Sequence, residues 1–374
     1  MQTRAAILKE SPVPRPYVET KPLAIETVSL DDPGPGEVLV RIAAAGLCHS
    51  DLSVINGDRP RPVPMVLGHE AAGVIEKVGP GVEDLVAGDQ VVMIFMPSCG
   101  HCLPCAEGRP ALCEPGAAAN GAGTLLGGVH RLHQDGHDVY HHVGVSAFAD
   151  YAVMSRHSVV RIDPDFPLEK AALFGCAVLT GVGAVVNTGK VSPGQSVAVV
   201  GLGGVGLSSL LGAVASGASQ IVAVDLSEDK LRFAKELGAT HAFNAADPAC
   251  ADDVRKATGG GVDHAFEMAG SVKAFELAYR ITRRGGSTVT AGLANPAHNI
   301  SFQQVSLVAE ERTVKGSYIG SCIPTRDLPR YMNLYRMGKL PVDRLLTSTG
   351  DLDGINAAFD RLADGETVRH VIIP

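Results

Sequence analysis

Cys99, Cys102, Cys105 and Cys113 follow one another in the spacing C-x2-C-x2-C-x7-C. Four thiols at such short loop spacings suit a tetrahedral zinc, and a closed shell of four sulfurs leaves no position for a substrate, so the implied site is structural. An iron–sulfur cluster is the chemical rival, but the seven-residue gap before Cys113 does not match the common ferredoxin runs. Disulfides fit less well. The first ten residues carry an apolar stretch too short for a secretion signal, so a reducing compartment is expected, where neighbouring thiols persist and bind metal.

A second pattern could bind a dinucleotide. Gly201, Gly203 and Gly206 form a G-x-G-x-x-G, with Leu202, Gly204 and Val205 between them, and the β-branched run Ser196–Val200 precedes it. Asp225 closes the next apolar run nineteen positions after Gly206. Glycines there let the backbone approach a pyrophosphate at a helix N-terminus, and the carboxylate accepts the ribose hydroxyls. Asp225 would repel a 2′-phosphate, which favours NAD over NADP. A glycine turn in an unrelated α/β fold is the plainer alternative.

Three more residues have the right chemistry and no telling spacing: Cys48, His69 and Cys176. A lone buried cysteine is usually a small core residue, and a lone histidine usually a satisfied one. Nothing in their positions along the chain brings them together.

The elements that must position these groups fall into two kinds. To about residue 165 short strand-like runs, such as Glu37–Ile42 and Gly73–Val78, lie between proline and glycine turns, the pattern of a turn-rich β domain. From about residue 178 apolar strands alternate with helices: Val197–Val200, a helix after Gly206, Ile221–Val224, a helix over Asp229–Leu237, then His264–Glu267 and Ser287–Ala291. That alternation predicts a parallel sheet with crossover helices. The tail from about Cys322 returns to mixed helix and strand. Gly116 to Gly144, rich in glycine and holding His130, His133, His137, His141 and His142 with no period, reads as a long surface loop, a further metal site there being the lesser alternative.

With 374 residues the chain has room for two domains, and 45% hydrophobic residues predict packed cores. A net charge of −8 and a pI near 5.9 argue against nucleic acid or an anionic membrane as main partner, since both need a basic face. Val191 to Val224 lacks any charge, yet its glycines and serines read as strand, turn and helix under a sheet and not as a membrane span. A cytoplasmic location is expected.

Together, Gly68-His69-Glu70-Ala71-Ala72-Gly73, the stretch from Val78-Gly79-Pro80-Gly81-Val82 to Gly88-Asp89-Gln90-Val91-Val92, the four-cysteine loop and Gly201–Gly206 with Asp225 are highly specific. Over essentially its whole length the chain resembles the zinc-dependent medium-chain alcohol dehydrogenases. The resemblance implies an α/β protein: a Rossmann doubly wound parallel sheet over 178–319 and a β-rich, GroES-like catalytic domain over 1–177 and 320–374, with the active site between them. It implies two zinc ions per chain, one structural on the four loop cysteines and one catalytic on Cys48, His69 and Cys176. Two thiolates and a neutral imidazole would leave zinc a Lewis acid, able to lower the pKa of a bound alcohol, whereas four thiolates would quench that acidity.

By the same resemblance Ser50 hydrogen-bonds the substrate oxygen and passes its proton on, and Asp51 and Glu70 are carboxylates behind the metal ligands. Lys230 contacts the adenosine ribose, while Arg369 and His49 reach the pyrophosphate. Ser53 stands where some members carry the histidine that ends the proton relay, so a shorter relay is expected. Phe95 matches a pocket phenylalanine and, with small Ser50, implies an apolar cleft for primary aliphatic or aromatic alcohols; Arg59 reads as a solvated loop residue. Glutathione-dependent formaldehyde dehydrogenases, the alternative activity, carry an arginine just after the last loop cysteine, where this chain has Glu114-Pro-Gly-Ala-Ala-Ala119. A non-catalytic dinucleotide-binding relative would have lost Cys48, His69 or Cys176, and all three are present. A homodimer is expected by analogy, with a tetramer as the alternative.

Overall fold

Apolar runs punctuated by proline and glycine become strands throughout the first part of the chain. They are β1 (Gln2–Leu8), β2 (Leu23–Leu30), β3 (Glu37–Gly46), β4 (Met65–Val66), β5 (Glu70–Val78), β6 (Gln90–Met93), β7 (Leu132–Gln134), β8 (His137–His141), β9 (Tyr151–Ser155) and β10 (Val159–Arg161). There follow β11 (Ser196–Val200), β12 (Gln220–Asp225), β13 (His241–Asn244), β14 (Val262–Glu267), β15 (Thr282–Thr290) and β16 (Thr313–Gly316), and last β17 (Leu346–Gly350) and β18 (Arg369–Ile372). The computed structural model describes residues 1–374. It divides into one unit of Met1–Cys176, Ile323–Pro329 and Asp343–Pro374 and a second of Ala177–Cys322 and Arg330–Val342.

In the first unit β1, β2, β7, β8 and β4 close a barrel, and a second sheet runs β10-β6-β5-β3-β18-β17, with β9 also paired to β3. Val38, Val40 and Ile42 of β3, Ile75 of β5 and Phe148 pack with Leu52, Val54 and Ile55 of the helix His49–Ile55. Burying those helix residues holds the helix against the sheet, so its N-terminus is fixed next to the end of β3.

The segment from Gly116 to Gly144 is not a surface loop. Glu114–Ala122 is a helix: Pro115 sits in its first turn, the Cys113 sulfur accepts the Gly116 amide, and Gly123 (φ +72°) closes its C-terminus. β7 and β8 form a hairpin whose two loop residues, Asp135 (φ +50°) and Gly136 (φ +81°), have the positive φ values of a type I′ turn. Leu132 and Val139 face each other across it in the core, and His141 and His142 are buried. The Asp135-Gly136 turn and the proline in the first turn of the helix decide the local structure here, against the glycine and histidine content of the segment.

The second unit is a six-stranded sheet in the order β13-β12-β11-β14-β15-β16, every pair parallel. Numbered along the chain this is 3-2-1-4-5-6, the doubly wound arrangement, and the glycine turn follows its first strand. Ala198, Val200, Val222, Val224 and Ala265 are buried on these strands, as unbroken apolar runs in a sheet covered on both faces require. No single helix is long and apolar enough to cross a membrane.

Candidate active site

Cys48 caps the helix His49–Ile55, with an extended backbone at φ −129° and ψ 151°. Asp51, in the first turn, turns back so that its Oδ2 accepts the Cys48 amide at 3.2 Å. Its Oδ1 accepts the Gly68 amide at 3.2 Å and lies 3.1 Å from Nδ1 of His69. One wholly buried carboxylate therefore ties two chain segments to one point. Gly68 permits the approach, since its φ is +94° and a Cβ would fall 2.5 Å from the Phe148 amide nitrogen.

Cys48, His69 and Cys176 meet. Their ligand atoms lie within 4.8 Å of one another, and each residue is at most 6% exposed. The two thiols are driven in opposite directions: Cys176 as hydrogen-bond partner, helped by His69 and Arg369, pulls Cys48 well down, while the Cys48 partner and burial push Cys176 up. Burial would lower the pKa of His69, but Asp51 and Cys48 outweigh it and raise the pKa well above the usual value. A cation entering this cluster displaces those protons, which is the usual coupling of metal and proton binding at thiol and imidazole sites.

Arg369, the first residue of β18, is buried beside the same cluster. Its Nη1 donates to the Leu47 carbonyl at 3.0 Å and its Nη2 lies 3.6 Å from Glu70 Oε2. Burial alone would lower its pKa, yet Glu70, Cys48 and Cys176 keep the guanidinium charged. Phe95 meets His69 edge-on, ring centroids 5.3 Å apart at 86°. Its carbonyl accepts from Asn120 Nδ2 at 2.7 Å, so the helix after Cys113 holds the loop that carries Phe95. His49 and Ser50 lie in the first turn of the helix, and Ser53 donates its hydroxyl hydrogen to the His49 carbonyl at 2.8 Å. Sequence reasoning missed Asn120, the burial of Arg369 against Glu70, and His142, whose Nδ1 also lies 3.1 Å from Asp51 Oδ1.

The sulfurs of Cys99, Cys102, Cys105 and Cys113 likewise lie within 4.8 Å of one another. Backbone amides point at them: Cys99 N to Cys113 Sγ at 3.2 Å, Cys102 N to Cys99 Sγ at 3.3 Å and Gly116 N to Cys113 Sγ at 3.4 Å. Amide donors stabilise thiolate over thiol, and those of His101 and Cys102 bring Cys99 down to about 6. Four sulfurs so arranged fit a closed tetrahedral zinc shell. Cys48, His69 and Cys176 offer only three donors in a dry pocket with an arginine nearby, which fits a zinc that keeps one position for a ligand.

In the second unit the helix Gly204–Ala215 starts inside the glycine motif, with Gly203 as its capping residue. A Cβ on Gly203 would meet nothing within 4 Å, so the helix end is open to an incoming group. On Gly206 a Cβ would sit 1.8 Å from the Gly201 carbonyl oxygen, so only glycine lets helix and turn pack. Asp225 ends β12 and accepts from the Leu202 amide at 2.6 Å and the Ser227 amide at 3.0 Å. Lys230 lies one helical turn beyond the cap at Ser227, whose hydroxyl accepts its amide.

A doubly wound sheet with this glycine turn, joined in one chain to a β unit holding a three-donor metal cluster and a four-thiol lobe, defines a zinc-binding dehydrogenase. Residues 34–164 match the alcohol dehydrogenase GroES-like domain and residues 204–336 the zinc-binding dehydrogenase domain. The chain is 40% identical to the NDMA-dependent alcohol dehydrogenase of Amycolatopsis methanolica, covering 100% of this chain and 99% of that one. Identity to the S-(hydroxymethyl)glutathione dehydrogenase of Paracoccus denitrificans is 36%, over the full length of both. The crystal structure of benzyl alcohol dehydrogenase from Acinetobacter calcoaceticus superposes with a TM-score of 0.93 at 33% identity, covering 100% of this chain and 99% of that one. The chain belongs to the zinc-dependent medium-chain alcohol dehydrogenases, and is an oxidoreductase acting on alcohols.

Proposed function

We propose that the protein interconverts primary alcohols, aliphatic or aromatic, with their aldehydes, using NAD and two zinc ions per chain. The convergence of Cys48, His69 and Cys176 on one buried point carries the reading. When bound there, zinc supplies a Lewis acid for the substrate oxygen and NAD the acceptor of the hydride. Cys48, His69 and Cys176 hold the metal, Asp51 fixes the ring of His69, and Arg369 with Glu70 balances charge behind the thiolates. Ser50 takes the alcohol proton. Because Ser53 has its hydrogen committed to the His49 carbonyl, the relay from Ser50 is short and ends at His49 or solvent.

Asp225 supports NAD over NADP. With both oxygens tied to backbone amides it is held as a fixed negative charge beside the glycine turn, where it accepts ribose hydroxyls and repels a 2′-phosphate. Gly201, Gly203, Gly204, Val205 and Gly206 receive the pyrophosphate, Lys230 the adenosine ribose, and His49 and Arg369 are the basic groups on the phosphate side. Phe95 walls the substrate pocket. Glu114–Ala119 forms the first two turns of a helix and offers no cation for a glutathione carboxylate, which disfavours S-(hydroxymethyl)glutathione as substrate.

The test is steady-state kinetics with NAD and NADP across linear, branched and aromatic alcohols and S-(hydroxymethyl)glutathione, on protein of measured zinc content. Two zincs per chain, NAD preferred, and turnover of simple primary alcohols are expected. Protein holding both metals that oxidises no alcohol with NAD would refute the reading.

A homodimer formed through the second unit is part of the proposal. β16 is an edge strand with one side unpaired, and Ile300, Phe302, Val305 and Val308 beside it in the chain are 46%, 38%, 67% and 71% exposed. An edge flanked by exposed apolar side chains favours pairing with another chain. Val308→Lys is expected to shift the sedimentation coefficient toward that of a monomer; an unchanged dimer would place the interface elsewhere.

A further inference from the structure

Glu267 ends β14 with only 1% of its surface exposed, a buried acid on an apolar strand. Its carboxylate serves two turns. Oε1 accepts the amides of Ala269 at 2.8 Å and Gly270 at 2.6 Å, in the turn that follows its own strand. Oε2 accepts the hydroxyl of Thr290, the last residue of β15, at 2.6 Å, and the Glu267 carbonyl accepts the amides of Ala291 at 3.0 Å and Gly292 at 3.3 Å. One residue thus ties the ends of two neighbouring strands together.

The place of these turns in the sheet gives the tie its meaning. β14 lies next to β11, and the strand order reverses between them, which is where an open parallel sheet receives its ligand. The turn after β14 packs against the glycine turn: the Met268 amide donates to the Val200 carbonyl at 2.8 Å, and a Cβ on Gly201 would fall 2.7 Å from the Ala269 nitrogen. From the other side Gly292 comes so close that a Cβ there would lie 2.2 Å from the Gly270 nitrogen and 2.7 Å from Glu267 Oε2. In the NAD reading Asp225, at the end of β12, takes the adenosine ribose, and the glycine turn after β11 takes the pyrophosphate. A dinucleotide laid across the sheet in that direction brings its second half over β14 and β15, onto the turns that Glu267 joins.

We propose that Glu267 is a positioning residue for the nicotinamide half of the cofactor: by accepting the Ala269 and Gly270 amides and the Thr290 hydroxyl together, it holds the turns after β14 and β15 as one wall beside the glycine turn. The proposal rests on the NAD reading and goes beyond it. Because Glu267 acts only through those turns, a cofactor fragment without nicotinamide does not register its loss.

Glu267→Gln keeps an oxygen for the Ala269 and Gly270 amides, and its NH2 group donates to a Thr290 hydroxyl turned round to accept. Glu267→Met is similar in length and has no oxygen. Both are compared with the parent by calorimetric titration with NAD and with ADP, on protein whose fold is verified by circular dichroism. Glu267→Met is expected to bind NAD about 10-fold more weakly and ADP within about 2-fold of the parent, while Glu267→Gln stays within about 2-fold for both. Thr290→Val removes one hydroxyl and carries the test if Glu267→Met does not fold, with NAD about 3-fold weaker and ADP unchanged as the expected result. NAD and ADP weakened alike would mean a damaged fold, and NAD unchanged would mean no role; either overturns the proposal. Parent protein that binds neither ligand would refute the NAD reading first, and the proposal with it.

Discussion

A Cys176→Ala enzyme is expected to lose about a thousand-fold or more in kcat/KM, on the order of 4 kcal/mol of transition-state stabilisation, while its fold and the metal of the four-cysteine lobe survive. The substitution removes one sulfur and leaves the backbone path unchanged. What remains is Cys48 and His69, two donors where an ion that is to keep its place needs three. Loss should appear as one zinc per chain instead of two. The deletion also disturbs the charge balance, because Arg369 is held in its buried place by Glu70, Cys48 and Cys176 together. A fall in melting temperature of a few degrees is therefore expected beside the loss of activity. Activity within tenfold of the parent, with one zinc per chain, would show that Cys176 is not part of the reactive site.

The second large effect is expected in the glycine turn, where two substitutions separate folding from binding. In Gly206→Ala the new methyl would lie 1.8 Å from the Gly201 carbonyl oxygen and 2.9 Å from its carbon, both backbone atoms with no freedom to swing aside. The turn must open, which costs on the order of 2–4 kcal/mol of stability and most of the dinucleotide affinity. Gly203→Ala differs. Its φ of −74° suits any residue and the space around its Cβ is empty, so stability should stay within about 1 kcal/mol of the parent. Affinity for NAD, read by fluorescence titration, should nonetheless fall about 100-fold, because the methyl occupies the path of the pyrophosphate. An unchanged affinity in the folded Gly203→Ala protein would move the cofactor away from this helix end.

These expectations draw unequally on sequence and structure. The inner part of the parallel-sheet unit was legible: Ser196–Val200 is the strand read from its apolar run, and the helix read over Asp229–Leu237 forms over Glu228–Glu236, while the strands His241–Asn244 and Thr313–Gly316, at the two edges of the sheet, carry no such run. Fully buried strands and glycine turns are local patterns, written in neighbouring residues. The hairpin at Leu132–His141 and the helix at Glu114–Ala122 carry one local signal each, the Asp135-Gly136 turn and the proline at the helix start, but the residues around those signals have weak intrinsic preferences. Burial in the barrel and a sulfur cap at Cys113 decide them instead.

By itself the sequence determined the four-thiol lobe and the dinucleotide turn. In each, every essential group lies within a short stretch, so spacing alone nearly fixes geometry. Only the tertiary structure brought Cys48, His69 and Cys176 to one point, set Arg369 against Glu70, and delivered His142 to the carboxylate that holds His69. Those residues lie on separate strands, a helix end and a hairpin, and what joins them is a shared core, within which the buried carboxylate of Asp51 ties Cys48 to His69. Contacts between segments distant in the chain carry no periodicity or spacing to read, because their cost is the entropy of closing long loops and their return comes only when the whole unit packs.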